Sequence, residues 1–115
     1  MGIFDRLRKK PKPGVVRTAN SADTAHLEAW TAQRYGVEAY VEPKTNVTHT
    51  TVVLVAHDGE WTRRRIDSMD AAKQFARKLS IPVYDAGIVG YPQRMREYTS
   101  RKAAEEKQRR KAGEG

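Results

Sequence analysis

The chain has 115 residues with no cysteine, 22 lysines and arginines, 14 aspartates and glutamates, and a formal net charge of +8. That length holds one modest hydrophobic core and excludes a two-lobed enzyme with a cleft between domains. The missing cysteines exclude a disulfide framework, a thiolate-ligated metal and a cysteine nucleophile.

The net charge is confined to the ends. Residues 1–12 hold five basic groups (Arg6, Arg8, Lys9, Lys10 and Lys12) against Asp5, residues 94–115 hold eight against four, and residues 13–93 hold nine of each sign. Charge on chain ends attracts polyanions over roughly 8–10 Å and adds little to a fold, so it points to partners. The candidates are nucleic acid, the ribosome and an anionic membrane. The longest apolar run, Thr51 to Ala56, falls far short of the ~18–20 residues a membrane span needs. The N-terminus shows neither an apolar h-region nor a small-residue cleavage site, so the expectation is a cytoplasmic protein, at most associated with the inner face of a membrane.

In chain order, Met1 to Lys10 is an amphipathic stretch with Ile3, Phe4 and Leu7 on one face and Arg6, Arg8, Lys9 and Lys10 on the rest; Pro11-Lys12-Pro13-Gly14 ends it. Asn20 or Ser21 is a candidate cap for a helix with Ala22, Ala25, Ala29, Ala32 and Trp30 on a broad apolar face, stopped at Gly36. Val37 to Glu42 alternates with the period of a strand, and Pro43 to Asn46 marks a turn. Thr51 to His57 and Glu60 to Ile66 flank Asp58-Gly59, the signature of a two-residue type I′ hairpin. That turn would pair Ala56 with Trp61, Leu54 with Arg63 and Val52 with Arg65, leaving Val53, Val55, Arg64 and Ile66 on the opposite face.

Asp67 or Ser68 caps a second helix whose Ala72, Phe75, Ala76 and Leu79 form a stripe for the sheet; it ends before Ile81-Pro82. A short extended piece, Val83 to Val89, precedes a long basic helix in which Tyr91, Met95 and Tyr98 make one apolar strip. Beyond Ser100 only ion pairs such as Glu97/Arg101, Glu105/Arg109 and Glu106/Arg110 support it, so that extension is expected to fray. The order α-β-β-β-α-β-α gives an α+β fold with a small antiparallel sheet and helices packed on it, following a basic disordered N-terminus. The expected divisions are a leader and linker over 1–14, a single domain over 15–98 and a basic helical or disordered tail over 99–115. The middle strand is apolar on both faces, so its second face needs the last strand and helix, a ligand or a second copy of the chain.

The α-β-β-β-α order over residues 20–79 resembles the double-stranded-RNA-binding domain in topology. Where that family places a basic start on its second helix, Asp67-Ser68-Met69-Asp70-Ala71-Ala72-Lys73 carries two acids, so no RNA contact is transferred. The segments Gly14 to Asn20, Gly59 to Arg65, Ile81 to Asp85 and Gly90 to Arg96 are similar to small uncharacterised actinobacterial proteins, some labelled oxidoreductase. The residues lend that label no support: Gly87-Ile88-Val89-Gly90 lacks the third glycine of a dinucleotide-binding turn and is followed by Pro92. No cofactor is expected. His26, His49 and His57 match no metal spacing, and no serine sits in a nucleophile elbow, so the reading leans away from an enzyme.

The candidate nucleic-acid contacts are Trp61, Arg63 and Arg65, which share one strand face, and the basic residues of the last helix: Arg94, Arg96, Arg101, Lys102, Lys107, Arg109, Arg110 and Lys111. An indole beside guanidiniums can stack a base while pairing phosphates. The alternative packs Trp61 in the core and pairs the arginines with Glu38, Glu42 or Asp67. The leading expectation is a non-catalytic nucleic-acid- or ribosome-associated protein. The second is a membrane or protein-interaction module tethered by residues 1–10.

Overall fold

The computed structural model describes residues 21–114. The expected leader, with Ile3, Phe4 and Leu7, and the candidate cap Asn20 lie outside the described residues. The chain runs α1 (Ser21–Ala32), β1 (Glu38–Glu42), β2 (Thr51–Val55), β3 (Trp61–Arg65), α2 (Met69–Lys78), β4 (Val83–Asp85), α3 (Ala86–Val89) and α4 (Gln93–Glu114). This is an α+β fold around a four-stranded sheet in the order β3-β2-β1-β4.

The sheet is mixed, which corrects the antiparallel expectation. β1, β2 and β3 form an antiparallel meander, whereas β4 lies parallel to β1, with Tyr84 opposite Tyr40. Parallel strands need a crossover, and α2 supplies it by carrying the chain from the β3 edge across one face to the β4 edge. The final strand is also shorter than expected. The Asp85 side chain accepts the Gly87 N–H at 2.8 Å and turns the chain into the single turn of α3.

The hairpin register differs from the expected one by a single residue. Val55 pairs with Trp61, Val53 with Arg63 and Thr51 with Arg65. The Ala56 N–H donates to the Glu60 carbonyl at 2.8 Å and the Gly59 N–H to the Ala56 carbonyl at 3.0 Å. His57-Asp58-Gly59 is therefore a three-residue loop, in which Gly59 alone takes positive φ, at 95°. Asp58 keeps an ordinary backbone and accepts the Glu60 N–H. Because side chains alternate with period two, this one-residue change moves Trp61, Arg63 and Arg65 onto the face of Val53 and Val55.

The face of Ala39, Val41, Val52, Leu54 and Ile66 packs on Leu27 and Trp30 of α1 and on Ala72 and Phe75 of α2. In α1 the alanine face is turned outward: Ala22, Ala25, Ala29 and Ala32 are exposed, while Leu27 and Trp30 are buried. Four methyl groups bury too little area to outweigh one leucine and one tryptophan. Arg34 lies over the Trp30 ring at 4.2 Å and forks onto Glu60, tying the end of α1 to the hairpin.

Helix α2 follows its expected stripe, with Ala72, Phe75 and Ala76 buried and Leu79 packed at the margin. Ser68 caps it by accepting the Ala71 N–H at 3.0 Å. At its other end the Ile81 N–H reaches the Ala76 carbonyl and the Ser80 N–H reaches the Arg77 carbonyl, a Schellman pattern in which Ser80 occupies the left-handed position at φ 58°.

Candidate nucleic-acid interface

The second sheet face is partly roofed by α3 and the start of α4. Tyr40, Val53 and Val55 are buried there, with Trp61, Ala86 and Met95 packed against them. Arg94 anchors the helix. Its Nε donates to the Ala56 carbonyl at 2.9 Å and one terminal nitrogen donates to Glu38 at 2.8 Å. Burial pushes the Glu38 carboxyl upward, but hydrogen bonds from Arg94 and from the Tyr40 hydroxyl win and hold it below the usual carboxylate range. Burial, and then Glu38, push Tyr40 up to about 12. Arg94, a candidate phosphate contact in the sequence, is thus engaged inside the fold.

Of the strand candidates, Trp61 and Arg63 are also engaged internally. Arg63 forks onto Glu42 at 2.8 and 3.0 Å and lies over the Trp61 ring at 5.3 Å, and the indole N–H donates to Thr99 of α4 at 3.2 Å. Of the acids weighed as partners, Glu42 takes Arg63 and Glu38 takes Arg94. Glu42 also accepts the hydroxyls of Thr51 and Tyr91. Burial opposes its ionisation, yet Arg63, Thr51 and Tyr91 together hold its pKa down to about 2. These side chains, with Arg65, His49 and Thr48, line an open cleft of about 660 Å³. Within that lining Arg63 and Glu42 neutralise each other, and with Tyr91 they brace β1, β3 and the approach to α4.

Beyond Thr99 the character of α4 changes. Every residue from Ser100 to Gly113 is exposed, and the helix continues to Glu114. Arg101 and Lys102 lie near the Tyr98 ring at 5.3 and 5.6 Å. Glu106 pairs with Arg110 at 3.6 Å, as its spacing predicts, and also with Arg109, whereas Glu105 pairs with Lys102 at 3.5 Å and Glu97 accepts from Gln93 at 3.0 Å. At 100° per residue, Arg96, Lys107, Arg110 and Lys111 fall within a sector of about 100° that contains no acid before Glu114, the last residue of the helix, and faces away from Met95 and Tyr98.

The histidines are apart. His26 bonds Thr62 at 2.8 Å, and burial and then Arg64 lower its pKa; His57 stacks on Tyr35 with centroids 3.9 Å apart; His49 lines the cleft. Among the described residues no three His, Asp or Glu side chains are grouped to hold a metal, and no helix is long and apolar enough to cross a membrane. The membrane contacts proposed for Ile3, Phe4, Leu7, Arg6, Arg8, Lys9 and Lys10 fall outside the described residues. Sequence reasoning left Tyr84 aside, although its ring stacks on Tyr40 at 5.2 Å across the β1/β4 pairing. Comparison with family models, with curated proteins and with solved structures gives no match.

Proposed function

We propose that the chain is a non-catalytic nucleic-acid-binding protein, acting on free nucleic acid or on the ribosome, whose α4 lies along a phosphate backbone. One observation carries this reading: from Ser100 to Gly113 the helix leaves the body fully exposed, without a side chain of substantial apolar area, and bears six cations against two acids. A helix that is polar all round gains nothing from a core, and its few surface ion pairs contribute only tenths of a kcal/mol each. A polyanion laid along the sector of Arg96, Lys107, Arg110 and Lys111 would supply the missing stabilisation. The body serves to hold the root of that helix through Arg94, Trp61 and Met95.

The test is binding of the full chain to a labelled DNA duplex as salt is raised. Contacts of this kind release counterions with a slope of about −0.9 per phosphate in log K against log salt. Replacing Arg96, Lys107, Arg110 and Lys111 together by glutamine is expected to flatten the slope by about 3.6 and to weaken binding regardless of sequence. Absence of measurable affinity at about 50 mM salt, where such contacts are strongest, would reject the reading.

A further inference from the structure

At the root of α4 the second sheet face ends in a cup of tyrosines. Tyr40 is its buried floor, with the Tyr84 ring 5.2 Å away at 28° and the Tyr91 ring 6.2 Å away at 47°. Val89, Gly90 and Pro92 complete the wall around a space of about 190 Å³. The hydroxyls of Tyr40 and Tyr91 are bound to Glu38 and Glu42, so the cup presents ring surfaces and no charge.

Four of the six large apolar side chains exposed among the described residues lie between positions 84 and 91: Tyr84 at 38 %, Ile88 at 81 %, Val89 at 56 % and Tyr91 at 36 %. A gathered apolar surface of this kind marks a partner site. Its surroundings select the partner. The cup opens where α4 begins, the first turn of α4 carries no acid, and the exposed Arg96 stands one turn beyond. A purely apolar occupant would leave Arg96 without a role. A nucleobase is flat and aromatic and arrives with a phosphate on either side.

We propose that the cup is a stacking platform for one base of a single-stranded nucleic acid, whose flanking phosphates run onto the basic sector of α4. The inference rests on the phosphate-binding reading of α4. Bases in a duplex are already stacked on one another and cannot enter the cup, whereas an unpaired base gains a ring partner there. The platform therefore turns a charge-driven contact into a preference for single strands.

The experiment measures anisotropy of a labelled oligouridylate and of a duplex with the same number of phosphates, titrated with the full chain and its variants at about 50 mM salt. The unaltered chain is expected to bind the single strand more tightly. Tyr84→Ala should weaken single-strand binding about five- to a hundredfold, the range for loss of one stacked base, and leave duplex binding unchanged. Tyr84→Trp keeps the platform, and its added emission should be quenched by the single strand but not by the duplex; a thermal melt of each variant confirms its fold. If Tyr84→Ala alters neither affinity while both probes bind, the platform is wrong and the phosphate reading stands. If neither probe binds, both fall. If sedimentation shows a dimer that Tyr84→Ala dissociates, a second copy occupies the cup and the platform is overturned.

Discussion

Gly59 lies directly against the backbone of Arg94: a β-carbon placed on it would stand 2.0 Å from the Arg94 carbonyl oxygen and 2.8 Å from the Tyr98 Cβ. The same glycine closes the hairpin at φ 95°. One residue thus sets both the turn and the distance at which α4 docks, and the two demands separate by mutation. Asparagine tolerates a left-handed backbone better than alanine does, but no side chain escapes the clash with backbone atoms. Gly59→Ala and Gly59→Asn are both expected to lower stability by at least about 2 kcal/mol, measured by urea denaturation. Recovery of most of the stability with asparagine would mean that only φ matters and that α4 docks more loosely.

Arg94 bridges Glu38 and the carbonyl of Ala56, with both charged side chains less than a third exposed. Arg94→Met leaves Glu38 half-buried with only the Tyr40 hydroxyl, at an expected cost of about 1–3 kcal/mol. Adding Glu38→Gln should return part of that loss, because the uncompensated charge is gone. Additive losses in the double-mutant cycle would show that the two side chains do not act as a pair.

The elements legible in the sequence are those whose signal is local. Ala72, Phe75 and Ala76 recur at helical spacing, and Ser68 stands where a cap belongs, so α2 could be read directly. The hairpin was equally visible, but Asp58-Gly59 fits both a two-residue and a three-residue loop. The choice rests on the Ala56–Glu60 closing pair, and it decides the face of every residue in β3. In α1 the small-residue spacing misleads, because burial follows area and not periodicity alone, and Leu27 with Trp30 dominates. The site is the least local part. Glu42, Thr51, Arg63 and Tyr91 come from three strands and the approach to α4. Tyr84 meets Tyr40 only through a parallel pairing across the α2 crossover, which no local pattern announces.

Ser80 holds the left-handed position that ends α2, at φ 58°, where a β-carbon is strained. Both Schellman hydrogen bonds use its backbone and that of Ile81, and neither uses the serine side chain. Ser80→Gly is therefore expected to raise stability by about 0.5–1 kcal/mol, the relief of the strain less the added freedom of the unfolded chain. A thermal melt reads this as an upward shift of a few degrees. A downward shift would mean that the hydroxyl contributes to the cap.

Glu42 makes the fold sensitive to acid. Its folded pKa of about 2 lies below the ordinary value of 4.5, so the stability it contributes is complete above about pH 4.5 and is lost as pH falls toward 2. The full shift converts to about 3 kcal/mol, and solvent around the half-exposed Arg63 reduces the expected contribution to about 1–2 kcal/mol. Glu38, lowered by Arg94 and Tyr40 against the pull of burial, adds to the same trend. Glu42→Gln should lower stability at neutral pH and leave a shallower decline between pH 5 and 2, since glutamine binds no proton over that range. Stability curves for the two proteins measured across this window should therefore converge as the pH falls. Parallel curves would show that Glu42 is no better stabilised in the folded chain than in the unfolded one, and that the brace joining β1, β3 and Tyr91 rests on packing instead.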